Sequence, residues 1–329
     1  MAPPLPPPFL RVSDSQHGLE WDMMTRRTLL RLVLGLSPVM FICLALSRTA
    51  GPAIFDADRA LADVEKLVGF GPRPAGSDAH RRAQEYLLDQ LRSTGLEIRR
   101  DDFTAETPVG PVPMSNLIAV RQGATDKMLV FAGHYDTKRF DDFAFLGAND
   151  GGSSAALILE LARGLAGSEP PPAISVWLVL LDGEEAFVEW TPTDSLYGSR
   201  HLAARMEETG ELSRIAAFIL VDMIGDRELG IHRDGYSTSW LLDVVWGEAQ
   251  RLGHGAHFLD ARIFIEDDHI PFAQKGVPVV DLIDFEYGPG NAYWHSPHDT
   301  LDKLSAESLR AVGETLLSVL GRLDRALAE

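Results

Sequence analysis

Two adjacent carboxylates, Glu184 and Glu185, follow the uncharged apolar run that opens ISVWLVLLDGEEAF, Ile174 to Phe187. The run reads as a strand buried on both faces, and Asp182-Gly183 stops it. In an open α/β sheet, ligands collect outside the carboxyl ends of the strands. Chemistry is therefore expected at this acid pair. Neighbouring residues leaving a strand point to different sides, so one glutamate can hold a metal while the other moves a proton. Other ionisable groups occupy equivalent places. His134 and Asp136 follow KMLVFA, Asp150 sits in the turn GANDGGSS, Asp222 follows IAAFILV, and His295 lies in the loop after the last expected strand. Imidazole and carboxylate donors suit zinc. Three protein ligands would leave a fourth position open for water or substrate, the catalytic arrangement. The only cysteine, Cys43, lies near the N-terminus, so a metal in the remaining chain must be held by His, Asp and Glu.

The elements that position these groups alternate between helix and strand. Helical spacing covers Asp56 to Phe70, behind an Asp that can cap it, and a second helix opens at Ser77 and ends near Gly95. Leu96 to Thr104, Ser115 to Arg121, Lys127 to Ala132, the run from Ile174, Ile215 to Val221 and Val277 to Ile283 read as strands. Helices are expected over Ala155 to Leu165, Ser195 to Met206 and Thr238 to Leu252. Leu309, Val312, Leu316, Leu320, Leu323 and Leu327 form the apolar stripe of a C-terminal helix. This alternation predicts an α/β fold: a single three-layer α/β/α domain with a central, mostly parallel, twisted sheet. The Gly-rich turn at 147–154 lacks both the lysine of a P-loop and the GxGxxG spacing, which argues against nucleotide binding.

The chain has 329 residues and a formal net charge of -18, which argues against a nucleic-acid partner. Residues 1–24 form a Pro-rich head that cannot build a core, and they include a possible misassigned start, with Met23 or Met24 as alternatives. In 25–50, a basic stretch with paired arginines, Arg26-Arg27, precedes an apolar run from Leu32 to Leu46. That run is interrupted by Pro38 and is shorter than the ~20 residues a spanning helix needs. It resembles a twin-arginine export signal of bacteria, with an uncleaved membrane anchor as the alternative. Residues 55–329 are expected to be a zinc-dependent catalytic domain that works outside the cytoplasm, in the periplasm or attached to a membrane.

The motifs HYDTK, GANDGGSSAA, LDGEEAF, DSLYGSRHLA after Trp190, EDDHIPF and WHSPHDT together resemble the animal-type, zinc-dependent glutaminyl-peptide cyclotransferases, or glutaminyl cyclases, within the zinc aminopeptidase (M28-like) superfamily. Trp190 to Ala203 and Glu266 to Phe272 separate the cyclases from the aminopeptidases; the HYD, ND and EE motifs are shared. The resemblance implies a zinc-aminopeptidase-like fold and one zinc ion per chain, held by Asp150, Glu185 and His295. It implies Glu184 as general acid/base, with Asp222 and Asp268 in a carboxylate network that raises its pKa, and Trp190 and Trp294 as pocket walls. His134 would be a ligand of a second metal or a support for the first. The implied substrates are peptides and proteins with N-terminal glutamine. Asp281 departs from the animal pattern, which carries a histidine there, and the loop from Asp284 to Tyr293 is longer.

The residue chemistry fits cyclisation. The α-amine attacks its own side-chain γ-carbonyl, so most of the gain comes from fixing geometry. A Lewis acid polarises that carbonyl, and a carboxylate takes the amine proton and returns it to departing ammonia. The alternative is a dizinc aminopeptidase that activates water, with His134, Asp150, Glu185, Asp222 and His295 all as ligands. A non-catalytic binding domain on the same fold is a third reading, and no expected ligand is missing to favour it.

Overall fold

The structure, a computed structural model, describes residues 51–327. The Pro-rich head, the twin-arginine-like segment and Cys43 lie outside the described residues. Among the described residues, no helix is long and apolar enough to cross a membrane.

The helices are α1 (Ala57–Val68), α2 (Asp78–Ser93), α3 (Gly152–Ala166), α4 (Tyr197–Glu208), α5 (Ser239–Leu252), α6 (Ile270–Ala273) and α7 (Ala306–Leu327). The strands are β1 (Glu97–Thr107), β2 (Gly110–Arg121), β3 (Met128–His134), β4 (Ser175–Leu181), β5 (Ile215–Asp222), β6 (Ile231–Asp234), β7 (Phe258–Ile263) and β8 (Val279–Ile283). The expected caps form: the side chains of Asp56 and Ser77 accept from the backbone N–H groups of Arg59 and His80, each at 3.1 Å.

The main sheet runs β1-β2-β4-β3-β5-β8. β4, β3, β5 and β8 are parallel, whereas β1 and β2 form an antiparallel hairpin whose inner strand pairs antiparallel with β4. The sheet is therefore mixed around a parallel core. The hairpin strands run on to a tight turn at 108–109, beyond the expected ends. β3 and β4 are fully buried, and alternate residues feed two cores. Leu129, Phe131, Leu178 and Leu180 pack with α1, α2, α3, α5 and α7; Val130, Ala132, Val179 and Leu181 pack with α4 and Phe272 of α6. This is the expected three-layer arrangement.

The small parallel pair β6-β7 and the short α6 are not among the elements expected from the sequence. β7 is mostly exposed and so lacks the apolar alternation that marks a strand.

The chain leaves β3 through α3 to reach β4 on one side, then crosses back through α4 to β5 on the other. The carboxyl ends of β3, β4 and β5 thus flank the point where strand order reverses, which is where such sheets bind ligands.

Candidate metal centre and active site

His134 is the last residue of β3, Asp222 the last of β5, and Glu184 and Glu185 lie just beyond β4. Two backbone devices aim them. Gly183 adopts φ +68°, and a Cβ there would lie 2.5 Å from Met114 Sδ. The carboxylate of Asp136 accepts from the backbone N–H groups of Glu184 (3.1 Å) and Glu185 (3.3 Å), which fixes the acid pair against the β3 end. Asp150 precedes Gly151, whose φ is +76° and whose added Cβ would sit 2.3 Å from Asp136 O. Only glycine allows the loop to press this closely on β3 before α3 begins.

Asp150, Glu185 and His295 converge, each offering a donor atom within 4.8 Å of the others. His295 Nε2 lies 3.1 Å from Glu185 Oε1 and 3.2 Å from Asp150 Oδ2. Asp150 turns its other oxygen to a second cluster: His134 Nε2 lies 3.3 Å from Asp150 Oδ1 and 3.1 Å from Asp222 Oδ1. Buried Glu185 Oε2 has no hydrogen-bond partner. An imidazole, two carboxylates and an unpartnered buried oxygen fit a single zinc ion.

The charges are arranged around this centre. Burial would lower the His295 pKa, but Glu185 and Asp150 outweigh it and raise it to about 10. His134 is likewise raised by Asp222, Asp136 and Asp150 against its burial. Burial would raise Asp150, yet the two imidazoles hold it well below the usual carboxylate range. Glu184 behaves oppositely. Burial first, then Glu185, Asp267 and Asp268, hold it well above that range against the pull of His134. Glu184 stays outside the three-residue cluster; its Oε2 stops 4.0 Å from His134 Nδ1.

A cavity of about 310 Å³ opens over the cluster, lined by Asp150, Glu184, Glu185, Asp222, His295 and both expected tryptophans. Trp294 stacks on His295, with ring centroids 4.2 Å apart and planes at 18°. Trp190 is carried by a loop whose N–H groups at Phe187, Val188 and Glu189 all bind the carboxylate of Asp194, at 2.9 to 3.0 Å.

The two network acids make side-chain hydrogen bonds to His134 and Ser199, and the charge of Asp268 still adds to the repulsion that raises Glu184. Asp222 pairs with His134 rather than with Glu184. Asp268 is fully buried, takes a hydrogen bond from Ser199 Oγ and does not line the cavity. Its neighbour Asp267 does line it, and burial and Asp222 raise its pKa to about 7. Sequence reasoning misses Asp267; the doubled acid in EDDHIPF is the signal that could have found it. It also misses Lys138, whose Nζ sits 3.9 Å from Glu185 Oε2, and the apolar wall of Phe264, Ile265 and Phe285.

Residues 116–320 match peptidase family M28. The chain is 33% identical over 253 residues to the glutaminyl-peptide cyclotransferase of Drosophila melanogaster, covering 69% of this chain and 70% of that protein. It is 35% identical over 256 residues to the glutaminyl-peptide cyclotransferase-like protein of Bos taurus, covering 69% and 66%. Among solved structures, a glutaminyl cyclase of an Acidobacteriales bacterium superposes with a TM-score of 0.80 at 41% identity, over 84% of this chain and 98% of that one. With its zinc-compatible cluster at the sheet's switch point, the chain belongs to peptidase family M28 and, within it, to the glutaminyl-peptide cyclotransferases.

Proposed function

We propose that this protein converts the N-terminal glutamine of peptides and proteins to pyroglutamate with release of ammonia. The observation that carries the reading is the division of labour at the site. Asp150, Glu185 and His295 share one small volume, while the adjacent Glu184 stays outside it with a raised pKa. These three residues would hold the zinc, which would supply Lewis acidity toward the substrate γ-carbonyl. Trp190 and Trp294 wall the glutaminyl side chain and exclude water. Glu184 accepts a proton from the α-amine as it closes on the γ-carbon, and delivers one to the amide nitrogen that leaves as ammonia. Asp267 and Asp268 keep the Glu184 carboxyl easily protonated by repelling its charge. Asp222 acts through His134.

The domain from about residue 55 onward carries this activity; the described residues 51–327 lie in one compact unit. The twin-arginine-like segment at 25–50 supports export to the periplasm or anchoring at a membrane facing out of the cytoplasm. Incubating the purified, zinc-loaded protein with a Gln-initiated dipeptide tests the reading: ammonia and pyroglutamate are expected, and their absence would reject it.

A second reading, a dizinc aminopeptidase, is favoured by one observation: His134, Asp150 and Asp222 form a second buried cluster able to hold a metal. Two tightly bound zinc ions per chain, with release of free N-terminal residues, would select it.

A further inference from the structure

The short segment that delivers His295 to the cluster also carries Asp299, a carboxylate only 1% exposed. Asp299 is not one of the three converging residues. Its Oδ1 accepts from the backbone N–H of Asn149 at 2.8 Å, and its Oδ2 accepts from the backbone N–H of Asp150 at 3.1 Å. The Tyr287 hydroxyl donates to Oδ1 at 2.9 Å and orients the carboxylate. Two consecutive N–H groups need an acceptor with two oxygens at a fixed separation, which a carboxylate provides.

Asn149 extends the brace to the end of β5. Its Oδ1 accepts from Gly225 N–H at 2.7 Å and its Nδ2 donates to Met223 O at 3.1 Å. This turn directly follows Asp222, and Met223 holds a left-handed φ of 47°. From the opposite side, the buried Arg73 guanidinium donates to Leu146 O (2.7 Å) and Gly147 O (2.8 Å), gripping the start of the same loop. His295 itself has φ 48°, a conformation that surrounding contacts must impose on a non-glycine residue.

We propose that Asp299 is a positioning residue for the metal. It locks the backbone of Asp150 to the segment bearing His295, so that the two ligands keep a fixed separation. This rests on the zinc assignment of the Asp150–Glu185–His295 cluster. A buried hydrogen-bonded group that orients a ligand sets metal affinity and geometry, and this one acts through the main chain of one ligand and the chain continuity of another. Asparagine at 299 would keep the shape but turn an NH2 group toward one of the two N–H donors.

The test is metal binding by the full chain, read without substrate. Zinc affinity is measured by chelator competition, and site geometry by the absorption bands of the cobalt(II)-substituted protein. Asp299→Asn is expected to bind zinc about 10–100-fold more weakly and to change the cobalt spectrum, while the metal-free variant still unfolds cooperatively. If Asp299→Asn does not fold, Tyr287→Phe carries the test. It leaves both backbone bonds in place and removes only the orienting hydroxyl, so a several-fold weaker affinity and a displaced spectrum are expected. A folded variant with wild-type zinc affinity and an unchanged cobalt spectrum overturns the inference. A wild-type protein that binds zinc normally but forms no pyroglutamate would reject the cyclase reading and leave this one standing.

Discussion

Glu184 and Glu185 are consecutive in the chain, yet their carboxyl groups meet different partners. Glu185 Oε1 reaches His295 Nε2 at 3.1 Å, whereas Glu184 Oε2 stops 4.0 Å from His134 Nδ1. Both backbone N–H groups are held by Asp136, so the divergence is fixed at the main chain. Glu184 O also accepts from Leu196 N–H at 2.8 Å, which ties the pair to the start of α4. One carboxylate thereby joins the three-residue cluster, and the other stays outside it.

Replacing Glu184 with Gln preserves size and removes the exchangeable proton. Turnover of a Gln-initiated peptide is expected to fall by about 10²–10⁴-fold, the usual contribution of a positioned acid/base. Zinc content and thermal midpoint should stay near wild type. A variant that retains most of its kcat would exclude Glu184 from proton transfer.

The two imidazoles are expected to respond differently. His295→Ala should lose zinc and activity together, because it removes one of three donors. His134→Gln should retain stoichiometric zinc and a reduced but measurable cyclisation rate. Elemental analysis beside the activity assay decides: loss of one of two bound zinc ions from His134→Gln would mark a dimetal centre.

Zinc affinity should fall as pH falls. His295, raised to about 10 by Glu185 and Asp150 against its burial, carries a proton through the neutral range that the metal must displace. The logarithm of the apparent dissociation constant should therefore keep falling, by about one per pH unit, well above the ordinary histidine value of ~6.5. A plot that flattens just above that value would show that His295 is not held protonated by its neighbours.

Asp281 should cost stability at neutral pH. It is fully buried, both its carboxylate oxygens lack hydrogen-bond partners, and the nearest imidazole, His269 Nδ1, is 3.7 Å away. Burial, followed by Asp267 and Asp234, holds its pKa well above the usual range. The folded state then binds a proton that the unfolded state releases near ~3.9. Stability therefore declines as pH rises from that value toward the folded pKa. Asp281→Asn should flatten this decline and raise the melting temperature at pH 8, by about 2–4 °C for each kcal/mol recovered. An unchanged pH–stability profile would show that Asp281 does not contribute to it.

Strand ends are legible in the residues alone because they depend on local pattern. Apolar runs such as MLVFA and IAAFILV read as buried strands, and the acids and histidine that stop them then lie at the carboxyl edge. Zinc chemistry follows from donor type, since a chain whose only cysteine is Cys43 leaves imidazole and carboxylate as the metal ligands of the remaining sequence. The particular motifs around Trp190 and EDDHIPF carry the family resemblance.

Side-chain direction in irregular segments is not legible in this way. Asp267 and Asp268 are adjacent and chemically alike; that the first faces the cavity and the second faces Ser199 depends on how the segment before α6 packs beneath α4. β7 is hidden because a mostly exposed strand carries no alternation. Asp299 reads as an ordinary loop acid until the fold brings it beneath the backbone of Asp150. The sequence by itself determined which groups could do chemistry and that they gather at one edge of a sheet, because local periodicity encodes burial. Only the tertiary structure decided which carboxylate meets the metal cluster, which meets the cavity and which braces a loop, because those roles depend on contacts between residues distant in the chain.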